Sequence, residues 1–318
     1  MERIKAIGLL SSGVDSALAI KLVREQGVEV VAVNLLLPFS DDKRDYAAHL
    51  ARQLDVPLIR IEAGDDYIEL VRHPRHGYGS GMNPCIDCRI YMLKRAWEVA
   101  QGVGARFLVT GDVLGERPMT QHRAALHLEE RRSGLEGLIL RPLSAKLLPE
   151  TVPEREGWVD RGRLLAIEGR GRRPQLELAQ KFGIMGYHTP GGGCLLTNKE
   201  FSARLRGLFH LQQKVTVKDI ELLKIGRHFF QGNAHIVIGR NERENSLLLE
   251  LRQPGDYVLE VKGYPGPLGL LRGDKTPEAV ELAARLTARY SDAPQGEVPV
   301  ECRSDGEYRV VVSHKMHS

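Results

Sequence analysis

The sequence predicts an α/β protein: a doubly wound parallel sheet followed by a second, smaller α+β domain. In the first two-thirds of the chain, continuous apolar segments alternate with segments of helical apolar spacing. This alternation is typical of parallel strands that helices cover on both faces. Near residue 211 the alternation stops, and short strand-like segments follow. The 318 residues suffice for about two domains, which we expect at 1–205 and 212–318.

The individual elements follow in order from the hydrophobic pattern. In the first domain we expect strands at 4–10, 28–37, 57–63, 107–110 and 137–143, and helices at 17–25, 46–54 and 89–101. In the second domain we expect strands at 234–239, 257–262, 297–302 and 308–313. A helix at 277–290 has Thr276 as its N-cap and Pro277 in its first turn. Open parallel sheets bind ligands beyond the carboxyl ends of their strands, so functional residues are expected there.

Composition places the chain among soluble globular proteins. Hydrophobic residues make up 42% and charged residues 27%, and no stretch approaches the roughly 20 apolar residues that cross a bilayer. The N-terminus runs into the first strand without a signal-peptide pattern. We therefore expect a cytoplasmic protein, whose four cysteines are reduced ligands or catalysts rather than disulfides. The net charge of +4 permits nucleic-acid binding without demonstrating it.

A small, hydroxyl-rich turn joins the first predicted strand to the first predicted helix. Its residues are Ser11, Ser12, Gly13, Val14, Asp15 and Ser16. Such a turn directs backbone N–H groups and the positive end of the helix at a phosphate. It is not a Walker A loop, because no lysine follows the last glycine. The alternative is an ordinary helix start, since Asp15 and Ser16 are good capping residues.

Three cysteines form the second feature. Cys85 and Cys88 make a C-x-x-C pair at the predicted start of a helix, and Cys194 follows the glycines 191–193. The C-x-x-C pair alone fits a redox pair, half a zinc site or part of a cluster. The helix N-terminus predicts a lowered pKa for Cys88. The three glycines allow the backbone to approach a bulky ligand closely.

The number of thiols bears on the type of metal site. A structural zinc would need a fourth ligand, from His188 or Cys302. Cys302 lies in a predicted strand of the second domain, where a cysteine is more often a small buried hydrophobe. Three cysteines without an obvious fourth favour a four-iron cluster with one open iron.

The turn resembles the SGGxDS signature of the PP-loop ATP pyrophosphatases, which have the adenine nucleotide alpha hydrolase-like fold. Ser12 stands where that family usually has glycine. Taken in order, the turn, 83–88, the tripeptide 110–112 and Cys194 resemble the cluster-dependent tRNA thiouridine synthetases of the same superfamily, over about residues 1–200. The resemblance implies ATP with Mg²⁺, a [4Fe-4S] cluster on Cys85, Cys88 and Cys194, and adenylation of a uridine oxygen in tRNA before sulfur replaces it.

Two further positions carry over from this resemblance, which implies that Lys94 and Asp112 are catalytic. In addition, we expect Asn34 of the second strand near the adenosine, with an ordinary polar strand residue as the alternative, and we expect Gly111 to permit close approach of the nucleotide. Lys94 follows Cys88 by six residues, close to two helical turns, and is expected to reach the same cleft. A solvated helix lysine and a capping aspartate are the alternatives for Lys94 and Asp112.

Basic residues near the expected cleft have two interpretations. Arg170, Arg172 and Arg173 form a tight cluster around Gly171, for which a solvated face is the commoner outcome. Arg141, at the end of a predicted strand, is expected to meet substrate or phosphate.

The C-terminal segments 226–229 and 239–245 resemble the RNA-binding module named after NFACT proteins. That module is nearly neutral here, so a local patch would have to contact RNA; alternatively it supports the first domain or makes a dimer.

Together the resemblances predict a tRNA uridine thiolase that receives sulfur from an external donor. The alternatives are a persulfide and disulfide enzyme without a cluster, an amide-forming PP-loop ligase, and a non-catalytic RNA-binding protein.

Overall fold

The chain divides into two compact units, Met1–Thr197 and Asn198–Ser318. The computed structural model describes residues 3–40, 45–188 and 193–315. The division after Thr197 precedes the helix Lys199–Leu211. The sequence predicted the boundary later, between residues 205 and 212. Gly191 and Gly192, two of the three glycines before Cys194, lie outside the described residues.

The N-terminal unit contains a five-stranded sheet with the order β3-β2-β1-β4-β5, and every neighbouring pair is parallel. Its strands are β1 (Lys5–Leu9), β2 (Glu29–Leu36), β3 (Leu58–Glu62), β4 (Phe107–Val109) and β5 (Ile139–Leu140). Its helices are α1 (Val14–Arg24), α2 (Tyr46–Gln53), α3 (Asp65–Arg72), α4 (Cys85–Val103), α5 (Arg123–Ser133), α6 (Val152–Arg155) and α7 (Arg173–Lys181). The predicted doubly wound parallel sheet is confirmed.

Alternate residues of the central strands pack into separate cores on the two faces of this sheet. Ala6 of β1 and Phe107 of β4 pack with α1 and α7, whereas Ile7 and Leu108 pack with α4. Gly8 allows this close packing, because a Cβ atom there would lie 2.5 Å from Ile20 Cγ1 of α1. Burial on both faces is the physical reason that the strands are continuously apolar.

The sequence prediction missed several elements of this unit. Helices α3, α5, α6 and α7 were not expected, and β5 has two residues where seven were predicted. Helix α5 buries only Ala125, Leu126 and Glu129, so its apolar stripe is too weak to show in the hydrophobic pattern. Strand β5 ends where the chain turns back, with Ser144 N–H donating to the Arg141 carbonyl.

The C-terminal unit contains a six-stranded sheet with the order β11-β10-β8-β9-β7-β6, and every neighbouring pair is antiparallel. Its strands are β6 (Arg227–Gln231), β7 (Ala234–Ile238), β8 (Tyr257–Val261), β9 (Gly269–Gly273), β10 (Gly296–Arg303) and β11 (Tyr308–Lys315). Its helices are α8 (Lys199–Leu211), α9 (Val217–Leu223), α10 (Glu242–Glu250) and α11 (Pro277–Arg289). Helix α11 starts as predicted, with the Thr276 side chain accepting a hydrogen bond from Ala279 N–H. The predicted α+β module is confirmed, with β6, β9, α8, α9 and α10 as additions.

Within the described ranges, none of the helices is both long enough and apolar enough to cross a membrane.

Candidate functional site at the carboxyl edge of the parallel sheet

The hydroxyl-rich turn occupies the carboxyl end of the central strand β1, where α1 begins. Gly13, the N-cap of α1, is extended (φ −90°, ψ 154°) and receives no side-chain cap. Ser16 Oγ instead donates to the Gly13 carbonyl at 2.9 Å, and Ser11 Oγ accepts from Gly13 N–H at 3.2 Å. The turn is therefore held by its own hydroxyl groups, and Asp15 and Ser16 do not act as the N-cap.

Ser12 fits the turn without strain, although the resembling family usually has glycine there. Among the described residues, Asp55 (φ 49°) is the one non-glycine residue with a positive φ. The Ser12 carbonyl accepts a hydrogen bond from His188 N–H at 2.8 Å. The backbone at Ser12 is thus of a kind that any small residue adopts.

Asn34 and Gly111 fix the two sides of the turn. Asn34 Nδ2 donates to the Leu10 carbonyl at 2.9 Å, which joins the ends of β2 and β1. A Cβ atom on Gly111 would lie 2.4 Å from Ser16 N and 2.5 Å from the Asp15 carbonyl carbon. Gly111 was expected to allow a nucleotide to approach. The close approach found in the structure is instead that of the loop after β4 to the first turn of α1, and the nucleotide role stays a prediction.

Asp15 is the charged group of the turn. Its Oδ2 lies 3.3 Å from Arg172 Nη2, and its Oδ1 is buried without a hydrogen-bond partner among the described residues. Burial raises the pKa of Asp15 above its ordinary value, and the positive charges of Arg172 and Arg117 only partly oppose this. Burial raises the pKa of Cys85 as well, and the charge of Arg117 again partly opposes this, so the turn and Cys85 lie within range of the same charge.

Asp112 lies beside the turn in a saturated network. It is 5% exposed, and its carboxylate accepts from Arg89 Nη2 at 2.5 Å, Thr110 Oγ1 at 2.7 Å and Gln121 Nε2 at 3.2 Å. Burial alone would raise the pKa of Asp112, but the charges of Arg89 and Arg141, helped by these hydrogen bonds, leave it lowered. Asp112 is therefore a fixed anion that positions its neighbours, and its predicted catalytic role remains a prediction.

A second carboxylate, Glu129 of α5, lies in the same interior without being satisfied. Its side chain is fully buried, and the nearest cationic nitrogen is Arg89 Nε at 3.8 Å. Neither of its oxygens has a hydrogen-bond partner among the described residues. Burial raises the pKa of Glu129 to about 8, against the opposing charges of Arg89 and Arg141. Arg141 is itself buried against Glu130, with its Nε and Nη2 unpartnered among the described residues, and its contact with substrate or phosphate stays a prediction.

Backbone contacts bring the third cysteine to the C-x-x-C pair. Cys85 is the first residue of α4, and Cys88 follows one turn later. Met82 N–H donates to the Leu196 carbonyl at 2.9 Å, and Cys194 forms an isolated β-bridge with Ser40. The segment of Cys194 is thereby tied to the residues that lead into α4.

The three thiols share one electrostatic environment. A negative charge on Cys194 would raise the pKa of Cys88 and of Tyr67. A negative charge on Cys85 would raise the pKa of Cys88, Tyr67 and Cys194. Tyr67 is buried and its hydroxyl donates to Cys88 Sγ at 3.0 Å. Burial raises the pKa of Cys88 to about 12 and also raises those of Cys85 and Cys194. The predicted low pKa of Cys88 was wrong, because desolvation outweighs the helix N-terminus.

The donor chemistry suits soft metals and iron–sulfur clusters, but the side chains are not arranged as a ready ligand set. In the described ranges no group of three or more His, Cys, Asp or Glu side chains is placed to hold a metal ion. The candidate fourth ligands have other surroundings: the His188 ring packs edge-on against Tyr46 at 5.5 Å, and Cys302 is buried in the core of the C-terminal unit.

Lys94 lies on α4 as an exposed residue. Six residues turn an α-helix by about 600°, so Lys94 is about 120° around the helix from Cys88 and about 180° from Cys85. Lys94 therefore does not share a helix face with the cysteines, and its expected reach into the same cleft stays a prediction. Its predicted catalytic role is left without geometric support.

Sequence reasoning missed Tyr67, Gln121 and Arg172 as members of this site. Tyr67 and Gln121 come from elements that bear no motif, so no sequence signal indicates them. Arg172 belongs to the basic cluster 170–173, whose interpretation was left open. Its neighbour Arg173 is indeed solvated, with a side chain 90% exposed and paired with Glu177.

Comparison with known proteins agrees with this fold. Residues 4–132 match the family model of the tRNA methyl transferase HUP domain. This match lies within the parallel-sheet unit, Met1–Thr197. Residues 226–318 match the family model of the NFACT protein RNA binding domain.

Individual relatives are distant. The chain is similar to the tRNA-specific 2-thiouridylase MnmA of Clostridium perfringens strain ATCC 13124, with 29% identity over 129 residues, 35% of this chain and 36% of that protein. It is also similar to MnmA of Clostridium botulinum strain Eklund 17B, with 28% identity over 352 aligned positions, 97% of this chain and 90% of that protein. A 4-thiouridine synthetase in complex with RNA and ATP is 20% identical, with a TM-score of 0.40 over 69% of this chain and 52% of that one. The chain thus spans only about a third of the first of these relatives.

Proposed function

We propose that this protein is an ATP-dependent tRNA thiouridylase, which adenylates a carbonyl oxygen of a uridine in tRNA and replaces that oxygen with sulfur. One observation carries the proposal: a phosphate-type turn and Cys85, one of three neighbouring cysteines, lie within range of the charge of Arg117 at the carboxyl edge of the parallel sheet. The similarity to proteins named tRNA-specific 2-thiouridylases supports the choice of substrate.

The turn is suited to the adenylation step. The uridine oxygen attacks the α-phosphorus of ATP. The bond between the α-phosphorus and the oxygen that bridges to the β-phosphate breaks, and pyrophosphate leaves. Backbone N–H groups at the start of α1 would hold the phosphates. Asp15 offers an unpartnered carboxylate oxygen, the ligand type that Mg²⁺ prefers beside phosphates. Adenylation makes AMP the leaving group. Without it, the uridine oxygen itself would have to leave, and that oxygen is a poor leaving group.

The thiols are suited to the sulfur step. A sulfur nucleophile attacks the activated carbon, and AMP leaves with the original oxygen. In the first form of the proposal Cys85, Cys88 and Cys194 hold a [4Fe-4S] cluster, which would supply a bound sulfide when loaded. Tyr67, through its hydrogen bond to Cys88, would orient one thiolate. The described side chains do not form a ready ligand set, so the three thiols would have to move closer together to hold such a cluster.

That same observation favours a second form without iron. Cys85 would take a sulfane sulfur from an external persulfide donor, which leaves as a thiol, and the terminal sulfur of the Cys85 persulfide then attacks the carbon and expels AMP. The thiol of Cys194 would then attack the Cys85 sulfur, which breaks the S–S bond, releases thiouridine and leaves a Cys85–Cys194 disulfide. Two thiols are oxidised to a disulfide as the sulfane sulfur is reduced, so the electrons balance.

The C-terminal unit is proposed to bind tRNA and to contribute no chemistry. Its match to an RNA-binding family model supports this, and none of the turn or thiol residues lies in it. Removing 212–318 is expected to weaken tRNA binding while ATP binding persists. An unchanged tRNA affinity would instead point to a supporting or dimerising role.

The experiment is thiolation of unmodified tRNA by protein prepared without oxygen, with ATP and Mg²⁺, in parallel with sulfide and with a persulfide donor (a cysteine desulfurase and cysteine), followed by digestion and mass spectrometry of the nucleosides. We expect thiouridine from wild-type protein and none from Cys194→Ala, whereas the matched control Cys302→Ala stays active. Iron and zinc content decide between the two forms: about four irons per chain support the cluster. Metal-free protein that is active with the persulfide donor and inactive with sulfide supports the persulfide. Two results would contradict the proposal. If wild-type protein makes no thiouridine but forms an amide when ammonia replaces sulfide, the ligase alternative is favoured. If it makes no thiouridine and does not turn over ATP, the non-catalytic alternative is favoured.

A further inference from the structure

Arg172 is brought to the phosphate turn by a separate stretch of chain. Gly169 N–H donates to the Leu114 carbonyl at 2.7 Å, and Leu114 forms a parallel bridge with Glu168. Leu114 itself belongs to the loop after β4, and its N–H donates to Ser144 Oγ at 2.9 Å. These bonds anchor the segment before α7 on the β4 side of the turn, opposite the side on which Asn34 extends from β2.

The contact that Arg172 makes there is incomplete. A guanidinium and a carboxylate can form two parallel hydrogen bonds, yet Arg172 meets Asp15 through a single pair of atoms at 3.3 Å. Within the described residues, Arg172 Nε and Nη1 and Asp15 Oδ1 are buried without partners. Buried donors and acceptors in native proteins are nearly always satisfied, so this arrangement leaves two donors and one acceptor available to a ligand.

A second unsatisfied group lies one helical turn away. Gln175 is in the first turn of α7, three residues after Arg172, and such a spacing places two side chains on the same face. Gln175 is fully buried, and neither its Oε1 nor its Nε2 has a partner among the described residues. The start of α7 therefore presents several polar atoms without partners on the side of Arg172.

We propose that Arg172 binds the β- and γ-phosphates of ATP, the part that leaves as pyrophosphate, and that its ion pair with Asp15 is the ligand-free arrangement. This inference rests on the proposed function, since it assumes that ATP binds at the turn. The planar guanidinium offers its Nε–H and Nη1–H as a fork that matches a phosphate. Asp15, released from Arg172, keeps both oxygens for Mg²⁺. The neighbouring Arg117, exposed and near enough to affect the pKa of Asp15, adds positive charge at the same place.

The experiment measures binding of ATP, AMP and pyrophosphate, each with Mg²⁺, to the full chain by isothermal titration calorimetry. The variants are Arg172→Gln and Arg172→Lys, and the matched control is Arg173→Gln, whose side chain is solvated. We expect Arg172→Gln to weaken ATP and pyrophosphate at least about tenfold, the value of a charge-assisted hydrogen bond, and to leave AMP unchanged. Arg172→Lys keeps the charge and loses the fork, so its affinities should lie between those of wild type and Arg172→Gln.

The possible outcomes separate this inference from the proposed function. Wild-type protein that binds ATP, with Arg172→Gln binding it equally well, overturns the role of Arg172 and leaves the ATP site in place. If Arg172→Gln weakens the binding of AMP and of ATP equally, the role of Arg172 is overturned too, because Arg172 then only supports the fold. Wild-type protein that binds neither ATP nor pyrophosphate overturns both.

Discussion

Two arginines, one in each unit, show how differently the two halves of the molecule treat buried charge. Arg272 of β9 is 6% exposed, and its guanidinium bonds the Asp256 carboxylate, Asp219 Oδ1 at 2.9 Å and the Leu251 carbonyl at 2.9 Å. Arg172 has one bond, to Asp15, and two buried nitrogens without a partner. The first network is complete without a ligand, whereas the second is not.

The same contrast holds for the units as a whole. Among the described residues of the C-terminal unit, His235 Nδ1 is the one buried side-chain polar atom without a hydrogen-bond partner. In the N-terminal unit, Asp15, Glu129, Arg141, Arg172 and Gln175 all have such atoms. Since a satisfied network serves the fold and an unsatisfied one costs free energy, the contrast indicates where ligands or water belong: beside the turn, and not in the core of the C-terminal sheet.

The largest effect should come from opening the closed network. Replacing Arg272 with methionine leaves Asp219 and Asp256 buried without their counter-charge, which should lower the free energy of unfolding by about 3–5 kcal/mol. The measurement is thermal and urea unfolding of the full chain. Arg252→Met is the control, because Arg252 pairs with Asp305 on the surface and should cost less than about 1 kcal/mol. Equal costs for the two variants would show that the Arg272 network does not stabilise the fold.

A chemical effect is expected at the open network. Replacing Asp15 with asparagine removes the carboxylate proposed for Mg²⁺, and the rate of tRNA-dependent pyrophosphate release should fall at least about 100-fold, since metal ions supply several kcal/mol of charge stabilisation. Stability should change little, because Asp15 forms only one weak ion pair. Asp55→Asn is the control: Asp55 is exposed, and asparagine tolerates its positive φ. Unchanged pyrophosphate release in Asp15→Asn would remove Asp15 from the site.

Packing against the turn should have an intermediate effect. Replacing Gly111 with alanine forces a methyl group against the backbone of Asp15 and Ser16, which should cost roughly 1–3 kcal/mol of stability and weaken ATP binding. Gly102→Ala is the control, because a Cβ there meets nothing, and alanine inside a helix should stabilise by about 0.5–1 kcal/mol. Normal stability and ATP affinity in Gly111→Ala would mean that the turn can move away.

The smallest effect concerns pH. The pKa of Glu129 is about 8 in the folded protein and near 4.5 ordinarily, so the folded state binds this proton more tightly, and wild-type stability falls as pH rises from 4.5 to 8. Glu129→Gln lacks that loss. Its stability relative to wild type should therefore increase between pH 5 and pH 8 by more than about 1.4 kcal/mol, the value of one pKa unit, in urea unfolding at both pH values. A difference that stays constant with pH would show that Glu129 is ionised throughout.

The sequence predicted those features that depend on local pattern. Strands β1 to β4 are visible because burial on both faces makes them continuously apolar, and the turn and the C-x-x-C pair are visible because small residues and cysteines stand at helix starts. The pKa of Cys88 was mispredicted, because the helix N-terminus is visible in the sequence and burial beside Tyr67 is not. Lys94 does not share a helix face with the cysteines, because six residues fall short of two full turns. Arg172 was left open because its partner, Asp15, is 157 residues away, and no local pattern records such a contact.

The most direct test of the central claim, that the open site in the N-terminal unit activates an oxygen of tRNA with ATP, is the identity of the nucleotide products. ATP labelled separately at the α- and γ-phosphates is incubated with wild-type protein and Mg²⁺, with and without unmodified tRNA, and the products are separated by chromatography. Adenylation predicts AMP and pyrophosphate in equal amounts, formed only when tRNA is present. ADP and inorganic phosphate, or AMP formation that tRNA does not affect, would contradict it.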